Sequence, residues 1–158
     1  MPCFGQAKNL GQGEPFVAEA GKPLLVSFLC NHCPKTVPLR PAISVLFEEF
    51  GEAVSFVAVM SNDLLYCPMD GPEDMAKEQK EFGWNFPYLM DEDQSVAKAF
   101  SASLTPEFFI YDASHKLVFH GAAGADGIGL KAACEALLAG SEVTELWTDS
   151  QRALCSTY

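Results

Sequence analysis

The apolar positions of this chain fall in blocks whose period switches between that of a buried strand and that of a helix. The run Leu24 to Leu29, interrupted only by Ser27, predicts a central strand covered on both faces. Immediately after it, Leu39, Ile43, Leu46 and Phe50 recur at helical spacing, with Glu48 and Glu49 outward and Gly51 as a stop. Pro34 suits a first helical turn, whereas Pro38 and Pro41 fall inside the pattern and predict a bend. A second apolar strand, Val54 to Met60, leads through Ser61-Asn62-Asp63 into a loop closed by Gly71-Pro72. Met75, Gln79 and Phe82 share one helical face before Gly83, and Phe86 to Met90 reads as another strand. Val96, Ala97 and Phe100 predict a short helix after the acidic Asp91-Glu92-Asp93. Two β-rich runs, Glu107 to Tyr111 and Lys116 to His120, flank Asp112-Ala113-Ser114-His115 as an antiparallel hairpin would. A last helix turns Leu130, Cys134 and Leu137 inward and stops at Gly140.

Strands alternating with helices, then a hairpin and a terminal helix, predict an α/β fold: a central mixed sheet with helices on both faces. The 158 residues form one domain of ordinary size, with a short polar entry over 1–21 and an arm over 141–158. Trp84, Phe86 and Tyr88 read as core aromatics.

Charge narrows the partners. Ten basic against 21 acidic side chains leave −11, which repels nucleic-acid phosphates and anionic membrane surfaces. There is no apolar stretch of the roughly 20 residues that crosses a bilayer and no basic-then-apolar leader, so the expectation is a cytoplasmic protein. Six cysteines at 3, 30, 33, 67, 134 and 155 contain one close pair, which fits reduced thiols with a single working dithiol rather than a secreted disulfide framework.

That pair carries the chemistry. Cys30-Asn31-His32-Cys33-Pro34 sets two thiols three positions apart where an apolar strand gives way to a helix. Unpaired N–H groups at a helix start favour the thiolate, so Cys30 is expected to be the more acidic thiol and the nucleophile. Cys33, one turn deeper, is expected to resolve a mixed disulfide on Cys30. An imidazolium at His32 would further favour the thiolate and make the pair a fairly oxidising one. A bare CxxC is also compatible with half a zinc site or two buried cysteines. The strand-to-helix setting favours the dithiol. Cys134 reads as core, and Cys67, before Pro68, as a loop thiol.

Taken together, CNHCP at 30–34, SND at 61–63, FPYL at 86–89 and TPEFF at 105–109 resemble a bacterial group of thioredoxin-like proteins in the alkyl hydroperoxide reductase and thiol-specific antioxidant superfamily. The resemblance covers about residues 21–140 and implies the longer, peroxiredoxin-like version of the thioredoxin fold. It implies a cis bond before Pro106, with Thr105 and Pro106 guiding an extended substrate segment beside Asn31 and Pro34. It also implies no cofactor beyond the Cys30–Cys33 dithiol, protein or small-molecule disulfides as partners, and a cellular thiol reductant. Cys155 matches a tail cysteine of that group and is a possible third redox thiol. The chain departs from the group in three ways. The strand before the dithiol offers only Ser27 where thioredoxin has a buried carboxylate, so protons must move through water or His32. The N-terminal region is short enough that the opening hairpin is expected to be missing, and the loop near Ala122 to Ile128 looks abbreviated.

Two other chemistries compete. Pro23, Ser27 and Cys30 formally fit a peroxidase pattern, PxxxTxxC, but Pro23 and Ser27 belong to the predicted strand, and neither Arg40 nor Arg152 lies where a peroxide-binding arginine is expected. A Cu(I)-binding or metal-delivery module would recruit Cys30 and Cys33 with His32, His115 or His120. Its usual cysteine spacing is longer than CxxC.

Overall fold

The computed structural model describes residues 4–5, 7–10, 15–124 and 126–143. Cys3, Arg152, Cys155 and most of the expected C-terminal arm lie outside them. The order of elements is β1 (Lys8–Asn9), β2 (Leu24–Phe28), α1 (Thr36–Phe50), β3 (Ser55–Met60), a single 3₁₀ turn (Pro68–Asp70), α2 (Pro72–Phe82), β4 (Tyr88–Met90), α3 (Ser95–Phe100), β5 (Glu107–Tyr111), β6 (Leu117–Gly121) and α4 (Ile128–Leu138). The strands form one mixed sheet in the order β1-β4-β3-β2-β5-β6. The β2–β3 and β3–β4 pairs are parallel; β2–β5, β5–β6 and β1–β4 are antiparallel.

The period-2 rule explains the layers. Leu25, Phe56, Ala58 and Met60 face one side, where they pack with Leu39, Ile43 and Leu46 of α1, Met75 of α2 and Leu130, Ala133 and Cys134 of α4. Leu24, Val26, Phe28, Val57 and Val59 face the other, against Val96, Ala97 and Phe100 of α3 and the N-terminal Phe4. Both faces of the central strands are buried, as the unbroken apolar runs require. Trp84, Phe86 and Tyr88 are core, with the Trp84 and Phe86 rings stacked at 5.5 Å. Gly83 ends α2 at φ +67°, a conformation that disfavours any residue with a Cβ, and its N–H closes on the Gln79 carbonyl.

Three expectations change. The helix after the dithiol starts at Thr36, not at Cys33 or Pro34; the Cys33 carbonyl accepts the first amides, from Thr36 and Val37, at 3.0 Å each. Pro38 therefore sits in the first turn, where its missing N–H has no intrahelical partner to lose, and only Pro41 is interior. The N-terminal segment also supplies an abbreviated hairpin: Lys8–Asn9 adds to the free edge of β4, and Lys8 bridges to Pro15. Two polar residues carry no apolar period, which is why sequence pattern alone passes over this strand.

Candidate dithiol site

Sheet register assembles the site. The parallel strands β2 and β3 end on the same edge, where β5 begins, so the segments after β2 and β3 and the segment before β5 converge at the carboxyl ends of the parallel strands. In the β2–β5 pair Phe28 faces Glu107; two residues further along the same register, Cys30 faces Thr105. The Cys30 Sγ indeed lies 3.1 Å from the Thr105 Oγ1, and the Cys33 thiol donates to the Thr105 carbonyl at 3.3 Å. One residue thus holds both sulfurs, one through its side chain and one through its main chain. The Thr105–Pro106 peptide bond is cis.

A carboxylate that no motif reading picked out organises the rest. Asp70, fully buried in the 3₁₀ turn, accepts the Asn31 amide N–H on Oδ1 at 2.7 Å and the Asn62 side-chain amide on Oδ2 at 2.6 Å. Its Oδ2 also lies 2.8 Å from His32 Nδ1, while the other ring nitrogen of His32 faces the Cys67 Sγ at 4.0 Å. Asn31 further donates through its side chain to the Met69 carbonyl at 3.0 Å, and its own carbonyl accepts from Arg40 at 2.6 Å. Arg40 is in turn paired with the buried Glu78. The segment 61–71 is therefore fastened to the two residues between the cysteines. The SND block belongs to the same frame: Ser61 donates to the buried Asp91, Asn62 to Asp70, and Asp63 accepts the Leu65 amide.

Burial overturns the expected state of the outer thiol. Cys30 and Cys33 are both fully buried, and the Cys30 thiol is pushed up from its ordinary 9.0 to about 12. Loss of solvation on burial is the main cause, opposed by the hydrogen bond to Thr105 and reinforced by the negative charge of Asp70. α1 starts six residues after Cys30, and the one main-chain donor that opposes the shift, the Cys33 N–H, is the smallest of the causes. Ser27 donates to the Val57 carbonyl at 3.3 Å, and the buried acid beside the dithiol comes from the 61–71 segment.

Other expected site residues divide clearly. His32 lies beside Cys30, with its ring tied to Asp70. Asn31 is turned into the 61–71 segment, with its main-chain N–H bonded to Asp70 and its side-chain amide to the Met69 carbonyl. Pro34 is exposed next to the pair, while Thr105 and Pro106 are buried, with the Thr105 carbonyl taken by Cys33. His115 contacts the Glu19 carbonyl, and His120 stacks on Phe109 at 4.3 Å and pairs with Glu107. Among the described residues the donors that converge are Cys30, His32 and Asp70, within 4.8 Å of one another; of the residues named for Cu(I), Cys30 and His32 are in this group and Cys33, His115 and His120 are not. The Ser27 hydroxyl of the peroxidase pattern donates to the Val57 carbonyl. Asp70 and Glu78 were passed over because single polar residues in a loop or on a helix carry no spacing; the nearest sequence signal was the SND block, whose Asn62 holds Asp70.

The AhpC/TSA family model matches residues 11–120 of the chain. The chain belongs to the AhpC/TSA family. A crystal structure of an uncharacterized conserved protein from Geobacillus kaustophilus is 34% identical, covering 91% of this chain and 82% of that one, with a TM-score of 0.82. A hypothetical protein from Sinorhizobium meliloti is 31% identical over 90% of this chain and 94% of that one, with a TM-score of 0.74. A secreted Mycobacterium tuberculosis disulfide oxidoreductase homologous to E. coli DsbE shares the fold, at 24% identity over 70% of this chain and 78% of that one and a TM-score of 0.60. No curated protein is similar to the chain. The AhpC/TSA fold is thioredoxin-like, and membership of this family supports thiol redox function.

Proposed function

We propose that this AhpC/TSA protein is a thiol–disulfide oxidoreductase whose working groups are Cys30 and Cys33. The observation that carries the reading is that both sulfurs rest on Thr105, at 3.1 and 3.3 Å, on either side of one residue of the segment before β5. In the reaction the Cys30 thiolate attacks one sulfur of a partner disulfide, forming a mixed disulfide and releasing the first partner thiolate. Cys33 then loses its proton and attacks the Cys30 sulfur, which closes the Cys30–Cys33 disulfide and frees the second partner thiol with that proton. A cellular thiol reductant supplies the two electrons that restore the dithiol.

Burial shifts the expected poise. A site that stabilises its thiolate is a strong oxidant, because its reduced form is favoured. This site disfavours the Cys30 thiolate, so the pair belongs toward the reducing end of the range, opposite to what a histidine at a helix start implies. His32 and Thr105 are the proton-handling groups within reach of Cys30; Thr105 lowers the cost of ionising it. Protein or small-molecule disulfides remain the substrate class, in a cytoplasmic setting with no cofactor beyond the dithiol.

A Cys33→Ser variant tests the proposal. It should accumulate mixed disulfides through Cys30 when incubated with disulfides, and Cys30→Ser should not. A Cys33→Ser protein that forms no adduct, or forms them equally without Cys30, overturns it.

A further inference from the structure

We propose that the reduced protein binds one zinc ion through the Cys30 thiolate, a nitrogen of His32 and a carboxylate oxygen of Asp70. These three donors come from two segments, after β2 and after β3, yet lie within 4.8 Å of one another. Zinc bond lengths of about 2.0 to 2.3 Å place tetrahedral ligands roughly 3.5 Å apart, so closing the triad needs a shift on the order of 1 Å. Cys67 Sγ, 4.0 Å from His32 Nε2, lies outside this group of three.

The chemistry of the set selects the metal. Thiolate, imidazole and carboxylate together suit a borderline divalent ion; Cu(I) prefers sulfur without a hard carboxylate, and Mg²⁺ or Ca²⁺ take oxygen alone. Charge fits as well. Asp70 and a Cys30 thiolate bring two negative charges into a buried site, where unbalanced charge is costly, and a dication neutralises both. On binding, the Cys30 thiol gives up its proton to water and its sulfur becomes a ligand, so the buried thiol that resists ionisation alone does so at the metal. The outer frame is already built: Asn31 and Asn62 hold the Asp70 oxygens, the arrangement that orients metal-bound carboxylates. The geometry also distinguishes this site from a simple CxxC chelate, because the Cys33 thiol points to the Thr105 carbonyl instead.

One consequence rests on the proposed oxidoreductase reading: zinc occupies the lone pair that Cys30 needs for attack, and a Cys30–Cys33 disulfide removes the ligand, so metal and disulfide exclude one another. The site itself is tested without that reading. Anaerobically reduced protein is titrated with Zn²⁺ against a chromogenic chelator, with Co²⁺ as the spectroscopic probe. One zinc per chain is expected in the reduced protein and none after oxidation. His32→Ala should weaken binding at least about tenfold, whereas Cys33→Ser should leave it intact with its thiolate-to-cobalt band. Cys30→Ser should lose that band. No binding by the reduced protein, or binding lost in Cys33→Ser and unchanged in His32→Ala, overturns the proposal. Failure here leaves the Cys33→Ser trapping result untouched, so the two readings fall separately.

Discussion

Replacing Asp70 by asparagine should make the Cys30 thiol more acidic without making it ordinary. The perturbation removes one negative charge and keeps the side-chain shape and an acceptor oxygen for the Asn31 amide. A carboxylate oxygen of Asp70 lies within 4.8 Å of the Cys30 sulfur. At that separation, with an effective dielectric constant of about 20, two unit negative charges repel by about 3.5 kcal/mol, equivalent to about 2.5 pKa units. That is a ceiling: His32 and two amide groups share the Asp70 charge, and the half-open side at His32 admits water. The Thr105 hydrogen bond outweighs the Asp70 charge among the causes, so a fall of up to about one unit is expected. Burial, the larger cause, is unaffected by the substitution, so Cys30 should stay above its ordinary 9.0. The assay is peptide-resolved alkylation of Cys30 across pH, in a Cys33→Ser background with a chelator present. The midpoint is the quantity read, because a loosened 61–71 segment speeds alkylation at every pH without moving it. A midpoint that is unchanged or raised refutes the assignment of Asp70 as a brake on the thiolate.

Thr105→Val keeps the branched shape and the carbonyl on Cys33 but removes the hydroxyl bonded to Cys30. Ionisation becomes harder, and mixed-disulfide formation at fixed pH should slow by about tenfold, the worth of roughly 1.4 kcal/mol; an unchanged rate removes Thr105 from the chemistry. The Tyr88 hydroxyl is fully buried and has no hydrogen-bond partner among the described residues. Tyr88→Phe should therefore be neutral or stabilising by up to about 1 kcal/mol in denaturant unfolding, and a larger loss would reveal a partner. Burial raises the Cys134 thiol from its ordinary 9.0 to about 12, so its share of stability is complete below pH 9 and is lost as pH rises toward 12. Unfolding free energy should accordingly fall less steeply over that window in Cys134→Val than in the parent; parallel curves would exclude the thiol as the cause.

Elements with a strong period were legible in the sequence. The strands at Leu24–Phe28 and Ser55–Met60, the helix at Pro72–Phe82 and the terminal helix differ from their expected bounds by a residue or two, because apolar period and Gly or Pro punctuation determine them locally. The edge strand Lys8–Asn9 and the turn Pro68–Asp70 were not, since two or three residues have no measurable period and exist only through tertiary partners. The dithiol and Thr105–Pro106 were visible as motifs. Their electrostatics were not: the acidity expected of Cys30 rested on a helix start, whereas the thiol is buried, and Asp70, which adds to the shift, comes from a segment nearly 40 residues away whose docking follows from sheet register.

Burial and exchange make opposing demands, and their magnitudes say where reactivity must come from. In the closed state, a thiol pushed up to about 12 is ionised to about one part in 10⁵ at pH 7. Asn31 and His32, between the cysteines, fasten the 61–71 segment through three hydrogen bonds, two of them to a carboxylate. At about 1 kcal/mol for the neutral bond and about 1.5 to 3 for each bond to the carboxylate, releasing them costs roughly 4 to 7 kcal/mol, an open population of about 10⁻³ to 10⁻⁵. An open Cys30 with its ordinary 9.0 is ionised to about one part in 10², so thiolate in the open state amounts to about 10⁻⁵ to 10⁻⁷. The open route holds at most about as much thiolate as the closed one. Access then decides between them, because a closed sulfur with no exposed surface cannot meet a partner disulfide in line. Displacement of the segment that carries Asp70 would take away the charge that opposes ionisation of Cys30.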